Sequence, residues 1–500
     1  SPFAYIRGPG MIQTSYLFDT LLWTDSTGKP IPWLATKWEH SADGLEWRFS
    51  LRSGVKWHDG ESLTADDIAF TFDYMTEGPG RRAPVLHARG LTQIVESVKV
   101  EAPDRIVFRL RRPFAPFEES IAEKLFIIPK HIWSDVDDPL KYRSAKALVG
   151  SGPYQLKSFD ETAGSYLYVA NDSYFLGPPV VRRLEFVPAP DQLLALQRGE
   201  IDAADLLEEA TPDQQMKALA RNFQELSGSG DWNLALHFNL AKGFPYNDKR
   251  FRQAIAYTLN RRDLVKRLLF GRGEPGSPGG LAPGHPYIAH GLPAYEWNPA
   301  RATTLLDEIG IKDRDGDGIR ELPDSSRFRP ELQTSARFTI KSAELVKEYL
   351  RRIGIEVVIK VQDRTSADAA AESGNYAMAL VGYGGIMADP DFLREHYSSA
   401  SKSSKSFSSA YGYNNPSFDN LAAKQLISVN PNDRRKIVAE MQRIIADDLP
   451  IISLYVPYRL TLYNQRVFDN WYYTPGCSPC RGTRNKHMFV TGKKTDFRKE

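Results

Sequence analysis

Apolar and polar residues alternate over positions 46–52, which predicts a half-buried strand because successive side chains of a strand point to opposite faces. Ser53-Gly54 then favours a reversal of the chain, and Asp59-Gly60 marks a second turn. Thr64 precedes Asp67 by three residues, the spacing of a capping box, so we expect a helix to begin there. That helix would place three apolar residues on one face: Ile68, Phe72 and Met75.

A second pattern recurs along the chain: a capped amphipathic helix, a glycine that ends it, and a strand-like run. Residues 191–198 with Gly199, and residues 342–353 with Gly354, both have this form. Two asparagines that precede helical segments are expected to be N-caps, Asn298 and Asn432. The alternation of helices with strands, without a repeat of fixed period, predicts an α/β fold.

Composition narrows the function classes only slightly. The chain has 500 residues, of which 42% are hydrophobic and 25% charged, enough for more than one core. Its 64 basic and 62 acidic side chains are nearly balanced, so nucleic acid is not an expected partner. No apolar run approaches the ~18 residues of a membrane helix, and the first residues lack the features of a signal peptide. If the protein is exported, we expect its signal to have been removed already.

Motifs of catalysis are missing from the sequence. It contains no G-x-S-x-G nucleophile elbow, no H-E-x-x-H metal motif and no G-x-x-x-x-G-K-[ST] phosphate loop. We therefore expect no enzymatic activity and no catalytic cofactor. Cys477 and Cys480 form a C-x-x-C pair, for which a redox motif, a local disulfide and two free thiols are all open. Zinc is disfavoured because only His487 lies nearby as a further ligand.

Oxygen-bearing residues follow the spacing of a calcium-binding loop between positions 313 and 324. Side-chain oxygens fall at loop positions one, three, five, nine and twelve, with a carbonyl at seven and a glycine at six. A divalent cation would also relieve the repulsion between closely spaced aspartates. The alternative is a solvated acidic turn. The predicted ligands of a structural Ca²⁺ ion are Asp313, Asp315, Asp317, Ile319, Glu321 and Asp324.

Aromatic and glycine residues near presumed strand ends are candidates for a binding site. Trp232 and Asn233 follow residues 227–230, which we interpret as a flexible crossing between two parts of the fold. A second group follows the apolar run of residues 376–381: Tyr383, Gly384 and Gly385. Strand ends beside such crossings present side chains and backbone to a ligand.

Seven segments occur in the order of the landmarks of one protein family. They are LFDTLLW at 17–23, PWLATKWE at 32–39, VKWHDGESLTADDIAFTF at 55–72, GSGPYQL at 150–156, LHFN at 236–239, DKRFRQAIAY at 248–257 and NNPSFD at 414–419. Together they span nearly the whole chain. The combination resembles the family 5 extracellular solute-binding proteins, the dipeptide and oligopeptide receptors of ABC importers.

The resemblance implies a two-lobed periplasmic-binding-protein (Venus flytrap) fold, class II-like, with an accessory domain in the first lobe. The implied boundaries are residues 1–33, 149–233 and 461–500 for lobe I, 34–148 for the accessory domain and 234–460 for lobe II. The lobes would swing about crossings at residues 227–231 and 454–457 and bury a ligand between Tyr383 and Trp232. We expect a monomer, periplasmic or extracellular and membrane-attached, that passes its ligand to an ABC permease.

One departure from the family pattern bears on the ligand. In the peptide receptors an aspartate of the glycine-aromatic segment holds the amino terminus of the peptide, whereas this chain has Ile386 at that position. A buried ammonium group needs an anionic partner, so Asp389 or another carboxylate would have to replace it. Peptides stay the first expectation, with oligosaccharides, opine-type sugar conjugates and blocked peptides as alternatives. A hydrolase or redox enzyme, and a signalling receptor of the same fold, are the competing functions.

Overall fold

The computed structural model describes residues 2–3, 9–82, 91–206, 223–335, 339–387, 389–400, 409–475 and 485–491. Its α-helices are Pro9–Leu17, Ala65–Thr76, Leu91–Ile94, Lys130–Trp133, Gln192–Arg198, Lys249–Thr258, Arg261–Leu269, Pro299–Glu308, Ile340–Arg351, Arg364–Ser373, Phe392–Tyr397, Pro416–Ile427, Pro431–Asp448 and Lys486–Thr491. Short 3₁₀-helices are Pro79–Arg82, Ala145–Leu148 and Leu240–Lys242, and Glu118–Ala122 is a π-helix.

The strands are β1 (Leu22–Thr24), β2 (Pro30–Pro32), β3 (Ala35–His40), β4 (Glu46–Leu51), β5 (Val95–Ala102), β6 (Arg105–Leu110), β7 (Tyr154–Asp160), β8 (Ser165–Ala170), β9 (Arg183–Phe186), β10 (Ala203–Leu206), β11 (Gln224–Ser229), β12 (Trp232–Phe238), β13 (Gly273–Pro275), β14 (Glu331–Ser335), β15 (Val358–Gln362), β16 (Met378–Gly384) and β17 (Ile451–Tyr463).

Three small antiparallel sheets lie in the first part of the chain: β1-β2, β3-β4-β6-β5 and β7-β8-β9. The predicted strand over residues 46–52 is confirmed as β4, whose buried side chains are Trp47, Phe49 and Leu51. The predicted capping box is also confirmed. The Asp67 carboxylate accepts the backbone N–H of Thr64 at 2.8 Å, and the helix begins at the next residue.

A large mixed sheet dominates the second part, in the order β10-β17-β12-β16-β14-β15, with β11 and β13 also paired to β17. β12 is antiparallel to β16 and β17, whereas β14 is parallel to β15 and β16. Helices Lys249–Thr258 and Ile340–Arg351 bury one apolar cluster, and helices Pro416–Ile427 and Pro431–Asp448 bury another. These clusters hold alternate residues of β12 and β16, so the sheet is covered on both faces, as an α/β fold requires.

Helix ends mostly follow the sequence signals. Asp191 caps a helix that ends at Gly199, which has a φ of 69°, and Asn298 caps another. The prediction that Asn432 is a cap is wrong by two residues. Asn430 accepts the backbone N–H groups of residues 432 and 433, and a proline occupies the first helical position.

The two ends of the described chain meet in one core. Lys486 and Asp19 are both fully buried and form an ion pair at 2.5 Å. The ammonium group of Lys486 also lies 4.3 Å from the ring centre of Trp23. The Asp19 carboxylate accepts further hydrogen bonds from three side chains: Trp33, Ser151 and Tyr174. Segments distant in sequence are thus joined into one lobe around a single buried carboxylate.

The predicted accessory segment packs directly on lobe I. The sheet β3-β4-β6-β5 lies within residues 34–148, and its buried side chains belong to the same hydrophobic cluster as residues of lobe I. This shared cluster contains Phe18 and Tyr154 from lobe I together with Phe49, Phe108 and Trp133.

Two adjacent strand segments connect the lobes. Residues 451–455 of β17 pair with β12, whereas residues 458–463 pair with β10 and β11. β11 and β12 are separated only by Gly230 and Asp231. A Cβ atom at residue 230 would lie 2.2 Å from the carbonyl oxygen of Pro457, so only glycine allows the two crossings to run side by side. Asp231 is nearly buried and pairs with Arg459 at 3.6 Å.

Candidate ligand-binding cleft

The two aromatic residues predicted to enclose the ligand lie on opposite faces of the sheet. In the antiparallel pair β12–β16, Trp232 is opposite Gly384 and Asn233 is opposite Tyr383. Because neighbouring residues of a strand alternate between faces, Tyr383 shares a face with Asn233 and not with Trp232. The indole instead covers Gly382, where a Cβ atom would lie 2.0 Å from it. A ligand between the two rings does not fit this geometry.

Tyr383 and Asn233 are buried in the interior of lobe II. Tyr383 is only 5% exposed, and its ring packs at 5.6–6.0 Å from those of His237, Phe392 and His396. Burial raises the pKa of Tyr383 to about 12. The Asn233 side chain donates to the carbonyl of residue 383 at 3.4 Å and accepts from the Ser453 hydroxyl at 3.2 Å. Both residues therefore pack within lobe II and support the strand end, and their contact with a ligand stays a prediction.

In the turn after β16, one side chain is buried in the core and the next faces the space between the lobes. Gly385 has a φ of 93°, which a glycine adopts without strain, and Gly384 precedes it as the last residue of the strand. Ile386 is 2% exposed and belongs to the same cluster as Tyr383. The next residue, Met387, lines the space between the lobes. Isoleucine at position 386, in place of the aspartate of the peptide receptors, thus adds an apolar side chain to the core and leaves no carboxylate at this position.

A cavity of about 310 Å³ lies between the lobes and includes walls from the accessory segment. It is lined by members of five stretches, residues 24–30, 115–123, 285–287, 387–390 and 428–434, together with His40, Trp47 and Pro475. Of the predicted ligand-binding residues, Asp389 is the one that lines it. The volume is at the lower end of the ~300–1,000 Å³ of small-molecule sites. The cavity between the lobes therefore does not include the strand-end residues Trp232 and Tyr383 that the sequence indicated.

Asp389 is already paired. Arg434 donates two hydrogen bonds to its carboxylate, at 2.5 and 2.7 Å, and the side chains are 6% and 13% exposed for the arginine and the aspartate. Burial alone would lower the pKa of Arg434, but Asp389 more than offsets this, and the pKa is raised. Gln425 accepts from the same guanidinium at 2.9 Å and donates to Asp391 at 2.6 Å. Asp391 in turn is held by two hydrogen bonds from Arg394.

Three glutamates of the accessory segment face these residues across the cavity: Glu118, Glu119 and Glu123. Burial raises the pKa of all three carboxyls, and that of Glu123 stands well above its usual range. Glu118 accepts from the indole of Trp38 at 2.9 Å, and Glu123 accepts from the hydroxyl of Thr24 at 3.0 Å.

The lobes are in contact at the edge of this cavity. The backbone N–H of Asp389 donates to the Glu119 carboxylate at 2.8 Å, and the backbone N–H of Ala115 donates to the carbonyl of Leu426 at 2.8 Å. Both bonds join the accessory segment to lobe II. The structure therefore shows a closed arrangement in which the accessory segment is one wall of the cleft.

The three glutamates and Arg434 were not predicted from the sequence. A usable signal was present, because Glu118, Glu119 and Glu123 lie in the largely apolar stretch of residues 114–128. Acidic residues within such a stretch are rarely buried without a partner or a function. For Arg434 the local pattern predicts only a helix, and its partner is 45 residues away.

The acidic loop brings together four of the six predicted calcium ligands. Carboxylate oxygens of four residues lie within 4.8 Å of one another: Asp313, Asp315, Asp317 and Glu321. Asp324 is outside this group and caps its own turn through Ser326. Several of the oxygens also accept backbone N–H groups of the loop, as Asp313 does from Gly316 at 2.8 Å. Calcium at this loop stays a prediction, since the loop also satisfies its own carboxylates.

Cys477 and Cys480 lie outside the described residues, so the structure says nothing of their pairing. In the part of the chain that is described, no helix combines the length and apolar character needed to cross a membrane.

Known proteins resemble this chain in sequence and in fold. The oligopeptide-binding protein AppA of Bacillus subtilis is 30% identical, over 83% of this chain and 76% of that protein. The dipeptide-binding protein of Escherichia coli is 26% identical, over 86% of this chain and 81% of that protein. The crystal structure of NikA from Brucella suis, in complex with Fe(III)-EDTA, superposes with a TM-score of 0.81 at 21% identity, covering 97% of each chain.

The match to a protein family is extensive. The sequence profile of the bacterial extracellular solute-binding proteins, family 5 Middle, matches residues 29–405. This span contains the accessory segment, the first crossing and most of lobe II, and the two-lobed fold implied by the sequence is confirmed. The chain belongs to the family 5 bacterial extracellular solute-binding proteins.

Proposed function

We propose that this protein captures a small peptide or peptide-like solute outside the cytoplasmic membrane and delivers it, unchanged, to the permease of an ABC importer. The observation that carries the proposal is the cavity between the lobes, whose walls come from lobe I, the accessory segment and lobe II. A site divided in this way forms only when the lobes close, which is how a hinged binding protein encloses its ligand.

The size and lining of the cavity favour a short ligand. A volume of about 310 Å³ suits a solute of dipeptide or tripeptide size better than a long chain. The lining combines carboxylates, imidazoles and one guanidinium with aromatic and proline side chains, a mixture that suits a zwitterion with an apolar body. The named functions of two relatives, oligopeptide and dipeptide binding, support the same class.

The proposal assigns closure to the paired crossings. Lobe I of residues 1–33, 149–233 and 461–500 would rotate, with the accessory residues 34–148, against lobe II of residues 234–460. Ligand favours the closed form only by the difference between its affinities for the two forms. Shifting the populations from 1:99 to 99:1 takes about 5.5 kcal/mol of such difference. We propose that the protein acts as a monomer.

Identification of the bound molecule tests the proposal. The protein is purified without a denaturation step, its mass is measured under native conditions, and small molecules released by denaturation are identified by mass spectrometry. The stripped protein is then offered free di- and tripeptides, oligosaccharides and opine-type conjugates in a thermal-shift assay. We expect peptides to be released and to raise the melting temperature. Exclusive binding of a sugar or a sugar conjugate would contradict the proposal.

The same samples separate binding from catalysis. We expect every bound peptide to be recovered with its original mass after prolonged incubation. Conversion of a peptide, at a rate that a Cys477→Ser or Asp389→Asn change abolishes, would replace the transport proposal with an enzymatic one.

We also propose a structural role for the acidic loop in binding Ca²⁺, supported by the convergence of four carboxylates within 4.8 Å. An ion there would replace like-charge repulsion with shared coordination. Addition of millimolar CaCl₂ to chelator-treated protein is expected to raise the melting temperature, and an Asp315→Asn change is expected to remove the effect. An unchanged melting temperature in the unaltered protein would assign the loop to a solvated turn.

A further inference from the structure

Asp389, the lobe II carboxylate that lines the cavity, and its neighbour Asp391 are each already paired with an arginine. Asp389 is held by two hydrogen bonds from Arg434, and its neighbour Asp391 is held by two from Arg394. Ile386 points into the core. A positively charged ligand therefore finds no uncommitted anion among these groups of lobe II.

Over both walls together, the cavity has more carboxyl groups than cations in contact with them. Four carboxylates line the cavity, those of Asp389 and of the three accessory glutamates Glu118, Glu119 and Glu123. The cations in contact with them are Arg434, which pairs with Asp389, and Lys124, which lies 3.6 Å from Glu119. The carboxylates exceed these cations by two.

Glu123 is the most deeply placed of the three. It is 5% exposed, and one of its oxygens accepts from Thr24 at 3.0 Å. Its other oxygen has no hydrogen-bond partner within the described part of the chain, although the residue lines the cavity. A buried carboxylate with an unused acceptor is costly unless a donor, and preferably a cation, reaches it. Burial first, and then repulsion from Glu119, raises the pKa of Glu123 well above its usual range, and a cation bound at the cavity would oppose both effects.

We propose that the cationic group of the ligand, an ammonium of a small peptide-like solute, is bound by Glu123 together with Glu119, on the accessory wall of the cavity. This inference rests on the proposed function. It adds that the ligand carries a positive charge and that this charge lies against the accessory wall. Glu119 also accepts the backbone N–H of Asp389 from the opposite lobe. The ammonium site is thus completed by the same contact that closes the lobes.

Blocking the amino group of the ligand tests this without altering the protein. Stripped protein is equilibrated with a set of free dipeptides and, separately, with the same set N-acetylated, and retained compounds are counted by native mass spectrometry. We expect retention of the free set and loss of the acetylated set. Equal retention of both sets would overturn the inference while the peptide function stands, whereas retention of neither would contradict the proposed function itself.

Matched variants locate the site. For the tightest free dipeptide, Glu123→Gln is expected to weaken binding by about 10- to 100-fold, the loss of one charge-assisted hydrogen bond. Glu119→Gln should weaken it in the same direction. Glu348→Gln, an equal charge change at an exposed residue paired with Arg267 and Arg352, should leave affinity unchanged. Wild-type affinity in the Glu123 and Glu119 variants would overturn the assignment.

Folding of the variants does not limit the test. Glutamine has nearly the shape of glutamate, and burial already disfavours the charged form at residue 123, so the melting temperature of Glu123→Gln should not fall. If Glu123→Gln nevertheless unfolds, the affinity of Glu119→Gln and the retention of the N-acetylated dipeptides still test the proposed ammonium site. As a further arm, preferential retention of a nickel–histidine complex over free dipeptides would also overturn the inference.

Discussion

Replacement of Arg434 by methionine tests whether Asp389 is a structural partner or a free ligand-binding carboxylate. The pair is bidentate at 2.5 and 2.7 Å and almost buried. With charge centres about 4 Å apart and an effective dielectric constant of about 20, the attraction is about 4 kcal/mol. Removing one partner of a buried pair typically costs about 3–5 kcal/mol, because the remaining charge stays buried. As Asp389 keeps some exposure, we expect Arg434→Met to lower the free energy of unfolding by about 3 kcal/mol.

A double-mutant cycle isolates the pair. Urea unfolding, followed by tryptophan fluorescence, is measured for Arg434→Met, Asp389→Asn and the double variant. The double variant is expected within about 1 kcal/mol of wild type, since neither charge is left alone. Arg443→Met, on the same helix but in an exposed pair with Glu440, should cost at most about 1 kcal/mol. Additive effects of the two single changes would refute the reasoning and leave Asp389 available to the ligand.

Three further changes test the fold and its crossings. Lys486→Met should lower the free energy of unfolding by about 3–5 kcal/mol, because Asp19 is left buried without its ion-pair partner. A loss below about 1 kcal/mol in urea titration would contradict this prediction. Gly230→Ala should lower the free energy of unfolding by about 1–3 kcal/mol, because the added Cβ would lie 2.2 Å from the carbonyl oxygen of Pro457. Ser227→Ala is the control. Wild-type stability of the Gly230→Ala variant would contradict the geometry of the crossings. Burial lowers the pKa of His237 to about 3, so unfolding takes up a proton as the pH falls below about 6.5. Between pH 7 and pH 5 wild type should therefore lose about 2 kcal/mol relative to His237→Leu, and a constant difference would show that this histidine does not titrate on unfolding.

Local signals in the sequence were sufficient for much of the secondary structure. Thr64 with Asp67, and Asp191 with Gly199, mark helix ends through contacts within a few residues, and the structure has them as expected. The cap assigned to Asn432 was wrong because two asparagines flank Pro431, and only the proline's preference for the first helical position distinguishes them.

The site depended on contacts that no local pattern contains. Trp232 and Tyr383 both stand at strand ends, but their faces follow from the register between β12 and β16, which pairs residues about 150 positions apart. The cleft walls meet only when the accessory segment closes on lobe II, through Glu119 and Asp389. Sequence could therefore identify the family and a missing carboxylate at Ile386, but not the carboxylates on the opposite wall.

Small-angle X-ray scattering of the stripped protein, with and without saturating free dipeptide, tests the central claim most directly. If two lobes close over a solute, the radius of gyration decreases when the dipeptide is added, and the scattering of the bound form matches that calculated from the closed structure. Binding of the dipeptide without any change in scattering would contradict a function based on lobe closure.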